Sequence, residues 1–167
     1  VKVTGFDLGN SPLEHQRSLV QDKKVILTTT NGTKCFKKLG QAKEVIVASL
    51  LNLSIVVDYL KTKEEVVLCC AGNYNQFAID DFIVAGKIIA RLNDQVDLEL
   101  SDKGKTALQL YNFNQDKLLE LLLDSASGQN LINLGNKQDI EYIAGSEDKN
   151  IIPCYKNAKI VIKDSYS

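Results

Sequence analysis

Lys24-Val25-Ile26-Leu27-Thr28-Thr29-Thr30, followed at once by Asn31-Gly32-Thr33, is the stretch on which the fold turns. Its aliphatic and β-branched residues read as a strand, which Asn31-Gly32 breaks. Thr33 to Leu39 then reads as a short helix, stopped by Gly40. The same grammar recurs downstream. Glu44 to Ser49 is a second apolar strand, and Asn52 is placed to cap a helix from Leu53 to Leu60. Glu65 to Ala71 is a third, ended by Gly72 and followed by a longer helix from about Ala78 to Leu92, with Phe82, Ala85, Ile89 and Leu92 on one face. Successive strand–turn–helix units predict parallel strands joined by right-handed crossovers. Runs that are apolar on both faces predict strands covered by helices on both sides. The expected architecture is therefore a single α/β domain over residues 1–167, a three-layer α/β/α arrangement with a largely parallel or mixed sheet.

The C-terminal part reads as mostly helical. Asn114 or Asp116 is placed to cap a helix running to Asp124, and Ser127 another that ends at Gly135. Asp139 to Ala144 reads as a last helical turn, Ile151-Ile152-Pro153 as extended chain, and Lys159-Ile160-Val161-Ile162 as a final strand.

Composition narrows the class. The chain has 167 residues, 44% hydrophobic and 25% charged, the profile of a folded globular domain. A net charge of -1 is not the basic field of a general nucleic-acid binder, so no nucleic-acid partner is expected, though a local basic pocket is compatible with it. No apolar run approaches bilayer length and Val1-Lys2-Val3-Thr4-Gly5 is not a signal peptide, so no membrane partner is expected and the expected location is the cytoplasm. Cys35, Cys69, Cys70 and Cys154 show no C-x-x-C spacing and are expected to be reduced, some of them as small core hydrophobes. The chain starts at Val and contains no Met, which suggests a piece of a longer protein.

In a parallel α/β sheet, ligands bind beyond the carboxyl ends of the strands. At the first such end, Thr29, Thr30, Asn31, Gly32 and Thr33 supply hydroxyls and amides to hold an anion, and Gly32 permits close approach. The same residues are also ordinary turn formers, and Asn-Gly is a strong hairpin signal, although the helical pattern after Gly32 opposes a hairpin. At the third end, Gly72 precedes Asp80 and Asp81 at a helix start. Adjacent acids there suit Mg2+ or simply complement the helix dipole. Gly5-Phe6-Asp7-Leu8-Gly9-Asn10-Ser11-Pro12 is a loop rich in turn formers, and His15 is the chain's one histidine. P-loop, G-x-G-x-x-G, H-E-x-x-H and G-x-S-x-G signatures are absent.

Taken in this order, Gly5 to Pro12, Thr29-Thr30-Asn31-Gly32-Thr33, and Ala71-Gly72 with Phe77-Ala78-x-Asp80-Asp81 and Ala85-Gly86 resemble the motifs of the 2-phosphosulfolactate phosphatase family. Ser127 with Gly135, Asp139-Ile140, and Asp148 ahead of Ile152-Pro153 are similar to that family's ending. The resemblance implies Mg2+-dependent hydrolysis of 2-phospho-3-sulfolactate to 3-sulfolactate and phosphate, a step of coenzyme M biosynthesis. It also implies an N-terminal segment with an Asp-x-x-Arg-Ala-Thr-type motif, which this sequence does not contain. Two positions depart from the pattern: Asp80 stands where the family usually has Glu, and His15 where it often has an aromatic.

On this reading Asp81 and Asp80 are the catalytic and metal-binding residues. Thr29, Thr30, Asn31, Gly32, Thr33 and Gly72 hold the substrate's anion, and Asn10 and Ser11 bond its sulfonate or carboxylate. The partner is a small anionic phosphate ester. A homo-oligomer is compatible with an α/β chain of this size. A paralogous phosphatase for another 2-phospho-hydroxy acid and a non-catalytic anion-binding domain remain open alternatives.

Overall fold

Apolar residues spaced at three and four build short helices along most of this chain, and one of them organises the rest. The computed structural model describes residues 2–145 and 149–163. About half of the chain is helical: α1 (Arg17–Val20), α2 (Gly32–Lys38), α3 (Leu53–Leu60), α4 (Ile79–Asn93), α5 (Asp102–Asn114), α6 (Leu118–Asp124), α7 (Ala126–Asn133) and α8 (Lys137–Gly145). Strands β1 (Pro153–Lys156) and β2 (Lys159–Ile162) form an antiparallel pair, with Pro153 opposite Ile162 and Lys156 opposite Lys159. Asn157 and Ala158 turn the hairpin with positive φ of 51° and 58°, the twist that two-residue hairpin loops require. No helix among the described residues is long and apolar enough to cross a membrane.

Helix α4 lies between two apolar clusters. Ile88 and Leu92 pack with Leu53, Val56, Val57 and Leu60 of α3. Ile83, fully buried, packs with Leu122 of α6 and Ile140 of α8. Val84 and Leu50 border both clusters and join them into one body. A fully buried aliphatic side chain of this kind contributes about 1.5–3 kcal/mol. The predicted face of α4 is largely present: Ala85, Ile89 and Leu92 are buried, whereas Phe82 is half-buried and Ile83, Gly86 and Ile88 complete the interior.

Several expectations need correction. No parallel ladder joins the segments 24–30, 44–49 and 65–71 among the described residues. The middle one runs antiparallel to β1, with the Val47 amide donating to the Pro153 carbonyl at 2.8 Å and the Tyr155 amide to Val45 at 2.9 Å. The other two are extended but not buried on both faces: Ile26 is 82% exposed and Val67 74%. Asn52 does not cap α3 with its side chain. It is buried, accepts from the Ser49 amide at 2.8 Å, and donates to the carbonyls of Val47 and Ile151, so it ties residue 151 to the turn before α3. Ser125, not Ser127, caps α7, its Oγ accepting from the Gly128 amide at 2.9 Å. The cysteines are free but none is a core residue; Cys69 and Cys70 are exposed and Cys35 and Cys154 half-buried. Asp148 lies outside the described residues.

Helix α5 carries no pattern in the sequence reading because its apolar stripe is short; Ala107 is its one fully buried side chain. It reaches α4 by backbone proximity. A Cβ added at Gly86 would stand 2.1 Å from the Ala107 carbonyl oxygen. Gly86→Ala is therefore expected to destabilise the protein by about 1–3 kcal/mol, although alanine outranks glycine in an isolated helix by about 1 kcal/mol. Gly104→Ala, where an added Cβ meets only ordinary contacts at 3.6 Å, is expected to be neutral or stabilising. Urea unfolding of the two variants checks the sign difference.

Candidate functional site

The turn at residues 29–33 is built by its own side chains. The Thr33 amide donates to Thr29 Oγ1 at 3.2 Å, and Thr33 Oγ1 donates to the Thr29 carbonyl at 3.0 Å. This clip closes the entry to α2, and Gly32 fits beneath it because any Cβ there would sit 3.0 Å from Thr29 Oγ1. Asn31 precedes α2 but does not cap it; its Oδ1 instead accepts from the amide of Tyr74, 43 residues away, at 3.1 Å. At the far end of α2, Phe36 stacks on Tyr155 of β1 with ring centroids 4.3 Å apart and planes 11° from parallel.

The hairpin that Asn31-Gly32 does not make occurs at Asn73–Gln76. Asn73 and Gln76 exchange backbone hydrogen bonds, and Tyr74 and Asn75 occupy the left-handed region at φ 49° and 64°. Gly72 before it sits at φ +73°, with no room for a Cβ, which would lie 2.7 Å from the Gln76 carbonyl oxygen. That conformation turns the Gly72 amide towards α4, where it donates to Asp81 Oδ2 at 2.7 Å. Burial holds the Asp81 carboxyl above the usual carboxylate range, and the charge of Asp80 adds to this, while amide hydrogen bonds from Gly72 and Ala71 act in the opposite direction.

Two of the three loops thus meet. A cavity of about 60 Å3 lies between them, lined by Asn31, Lys34, Cys35 and Lys38 on the α2 side and by Cys70, Ala71 and Asn75 on the other. Although Cys70 is exposed as a residue, desolvation of its sulfur by the surrounding protein, and then the charge of Asp81, push the thiol up to about 11, and burial raises Cys35 as well. Both thiols are therefore protonated at neutral pH, poor nucleophiles and poor metal ligands.

The loop at residues 5–12 meets the site differently. Asn10 Nδ2 donates to the Thr28 carbonyl at 3.5 Å, bracing the end of the segment before the turn. Ser11 Oγ donates to buried Asp139 Oδ1 at 2.6 Å and so fastens the loop to α8. His15 bonds back to the Ser11 carbonyl through Nδ1 at 2.9 Å. Of the residues selected from sequence, Asn31 lines the cavity, while Gly72, with Asp81 bonded to its amide, adjoins lining residue Ala71. Asp80 shares the first turn of α4 with Asp81, and Thr29, Gly32 and Thr33 shape the turn. Lys34, Cys35, Lys38, Cys70 and Asn75 were not singled out from sequence. Helical spacing from Asn31 places Lys34, Cys35 and Lys38 on its face of α2, the one pattern by which three of them are legible.

Comparison with known proteins shows the family of the chain. The family model described as 2-phosphosulpholactate phosphatase matches residues 1–158. A probable 2-phosphosulfolactate phosphatase of Thermotoga petrophila is 36% identical over 163 residues, 98% of this chain and 70% of the relative. One from Carboxydothermus hydrogenoformans is 42% identical over 168 residues, 99% and 69% respectively. One from Clostridium tetani is 37% identical over 161 residues, 96% and 68%. With a match of this extent, the chain belongs to the 2-phosphosulpholactate phosphatase family.

Proposed function

We propose that this protein hydrolyses 2-phospho-3-sulfolactate to 3-sulfolactate and inorganic phosphate, with Mg2+ as cofactor, in the cytoplasm and as a step of coenzyme M biosynthesis. Family membership and the names of the relatives support the substrate. The observation that carries the site is the joining of the 29–33 turn to the 72–75 turn through Asn31 and Tyr74, with Asp81 bonded to the latter turn at Gly72. Residues far apart in sequence thereby border one small polar cavity.

Asp80 and Asp81 fit a magnesium ion by donor chemistry. Both are hard carboxylates on one helical turn, and one oxygen of Asp81 is anchored by an amide, which leaves further acceptor capacity on the group. Among the described residues no cluster of three or more His, Cys, Asp or Glu is arranged to hold a metal, so water and substrate oxygens would complete the shell, as is usual for magnesium. When bound, the ion would neutralise charge on the phosphoryl oxygens. The chain's own part is to fix Asp81 through the Gly72 amide, to hold an anionic group with Asn31 and the 29–33 turn, and to brace that turn through Asn10, whose loop Ser11 fastens to α8.

The finer architecture belongs to the same proposal: one domain, with the segments 24–30, 44–49 and 65–71 as strands of a three-layer α/β/α fold with a largely parallel or mixed sheet. Its support is their β-branched composition and the helix that follows each.

Asp81→Asn is expected to lower Mg2+-dependent phosphate release about a hundredfold or more. An unchanged rate with an unchanged metal requirement would remove Asp81 from the site. Stability should move the other way. Because the fold raises this carboxyl's pKa, its ionised form weakens the fold at neutral pH, and acidification through the folded pKa relieves that penalty. In EDTA at pH 7 the Asn variant should melt no lower than the wild type, with any gap between them closing as the pH is lowered. Thermal melts across pH provide the check.

A further inference from the structure

We infer that Lys34 and Lys38 form the subsite for the substrate's non-reacting sulfonate, a deepening of the function proposed above that rests on that reading. Of the residues lining the cavity beside Asn31, these two are the charged ones. They stand one helical turn apart on the same face of α2. Neither forms an ion pair among the described residues. Two cations without carboxylate partners, facing a cavity otherwise walled by amides, neutral thiols and a small apolar residue, leave room for an anion.

Their helix is held in place on several sides, so the charges are presented from a fixed support. Thr29 and Thr33 clip its start, the Asn31–Tyr74 hydrogen bond joins it to the opposite wall, and Phe36 stacks on Tyr155. A cavity of about 60 Å3, on a scale where one water needs about 10–15 Å3, has room for an anionic head. Chemistry selects which head. A lysine ammonium is a compact charge with three rotatable donors and no need for planar, two-point pairing. That suits a monoanionic sulfonate, whose charge is spread over three equivalent oxygens. The reacting phosphate, on the central carbon, is assigned to Asp80, Asp81 and magnesium, and of the two flanking anions the tetrahedral sulfonate rather than the planar carboxylate suits the lysines.

Product inhibition separates the groups, because 3-sulfolactate carries the sulfonate and carboxylate without phosphate, lactate carries the carboxylate alone, and inorganic phosphate carries neither. Phosphate release from 2-phospho-3-sulfolactate is measured for the wild type, K34Q, K38Q and the charge-keeping K34R and K38R, each checked for an unchanged melting temperature. The expected result is an inhibition constant for 3-sulfolactate, and a KM for the ester, about tenfold higher in each Gln variant, with restoration in the Arg variants and inhibition constants for lactate and for phosphate within twofold of wild type; a tenfold weakening of lactate as well overturns the sulfonate assignment. An equal weakening of phosphate inhibition, or no change for 3-sulfolactate, overturns the subsite while the phosphatase function stands. Absence of phosphate release by the wild type overturns that function and the subsite with it.

Discussion

The whole arrangement depends on α4 being buried along most of its circumference. Ile83 faces the cluster made with α6 and α8, Ile88 and Leu92 face α3, and Gly86 admits the backbone of α5. A helix gripped from these directions has little freedom to rotate or slide, since close-packed interiors tolerate neither voids nor overlap. Its first turn carries Asp80 and Asp81, so the same packing that stabilises the fold fixes where the carboxylates stand. The hydrogen bond from the Gly72 amide to Asp81 then transmits that position to the 72–75 turn, and the Tyr74 amide passes it on to Asn31 and α2.

Around that chain of contacts the charges are unevenly distributed. Asp81 is kept where ionisation is disfavoured, Cys35 and Cys70 are held as neutral thiols, and Lys34 and Lys38 of α2 face the cavity without ion pairs among the described residues. A partly buried carboxylate and a neighbouring acid make a local excess of negative charge that a divalent cation would relieve. The lysines, on the α2 side of the cavity, make a local excess of positive charge suited to an anion. A substrate with a phosphate on its central carbon and a sulfonate on a neighbouring one matches that division, which connects the electrostatics of the cavity with the substrate named for the family.

The same region also holds left-handed backbone. Gly72, Tyr74 and Asn75 are successive or nearly successive residues in the left-handed region, and for Tyr74 that conformation is unfavourable in isolation. The turn is held by reciprocal hydrogen bonds between Asn73 and Gln76 and by the side chains of Asp81 and Asn31. Its geometry is therefore imposed from both neighbouring elements.

Local sequence determined a good deal of this protein. The start of α2 after Asn31, the limits of α3 at Leu53 and Leu60, the extent of α4 to within a residue at each end, and the final strand at Lys159–Ile162 all follow from periodicity and turn chemistry, which act between residues close in the chain. The three polar loops were legible as motifs, and with them the family. Tertiary structure alone decided the pairing of segment 44–49 with β1, the service of Asn52 as a tie to Ile151, and the contact of Ser11 with Asp139 across 128 residues. It also decided the place of α5, whose union with α4 depends on an absent Cβ at Gly86 and leaves no apolar stripe to read. The cavity belongs to this second group, because Lys34 and Lys38 look like ordinary surface lysines until the 70–75 segment is brought opposite them. Periodicity records which face a residue occupies; what stands across from that face is set by packing between distant segments.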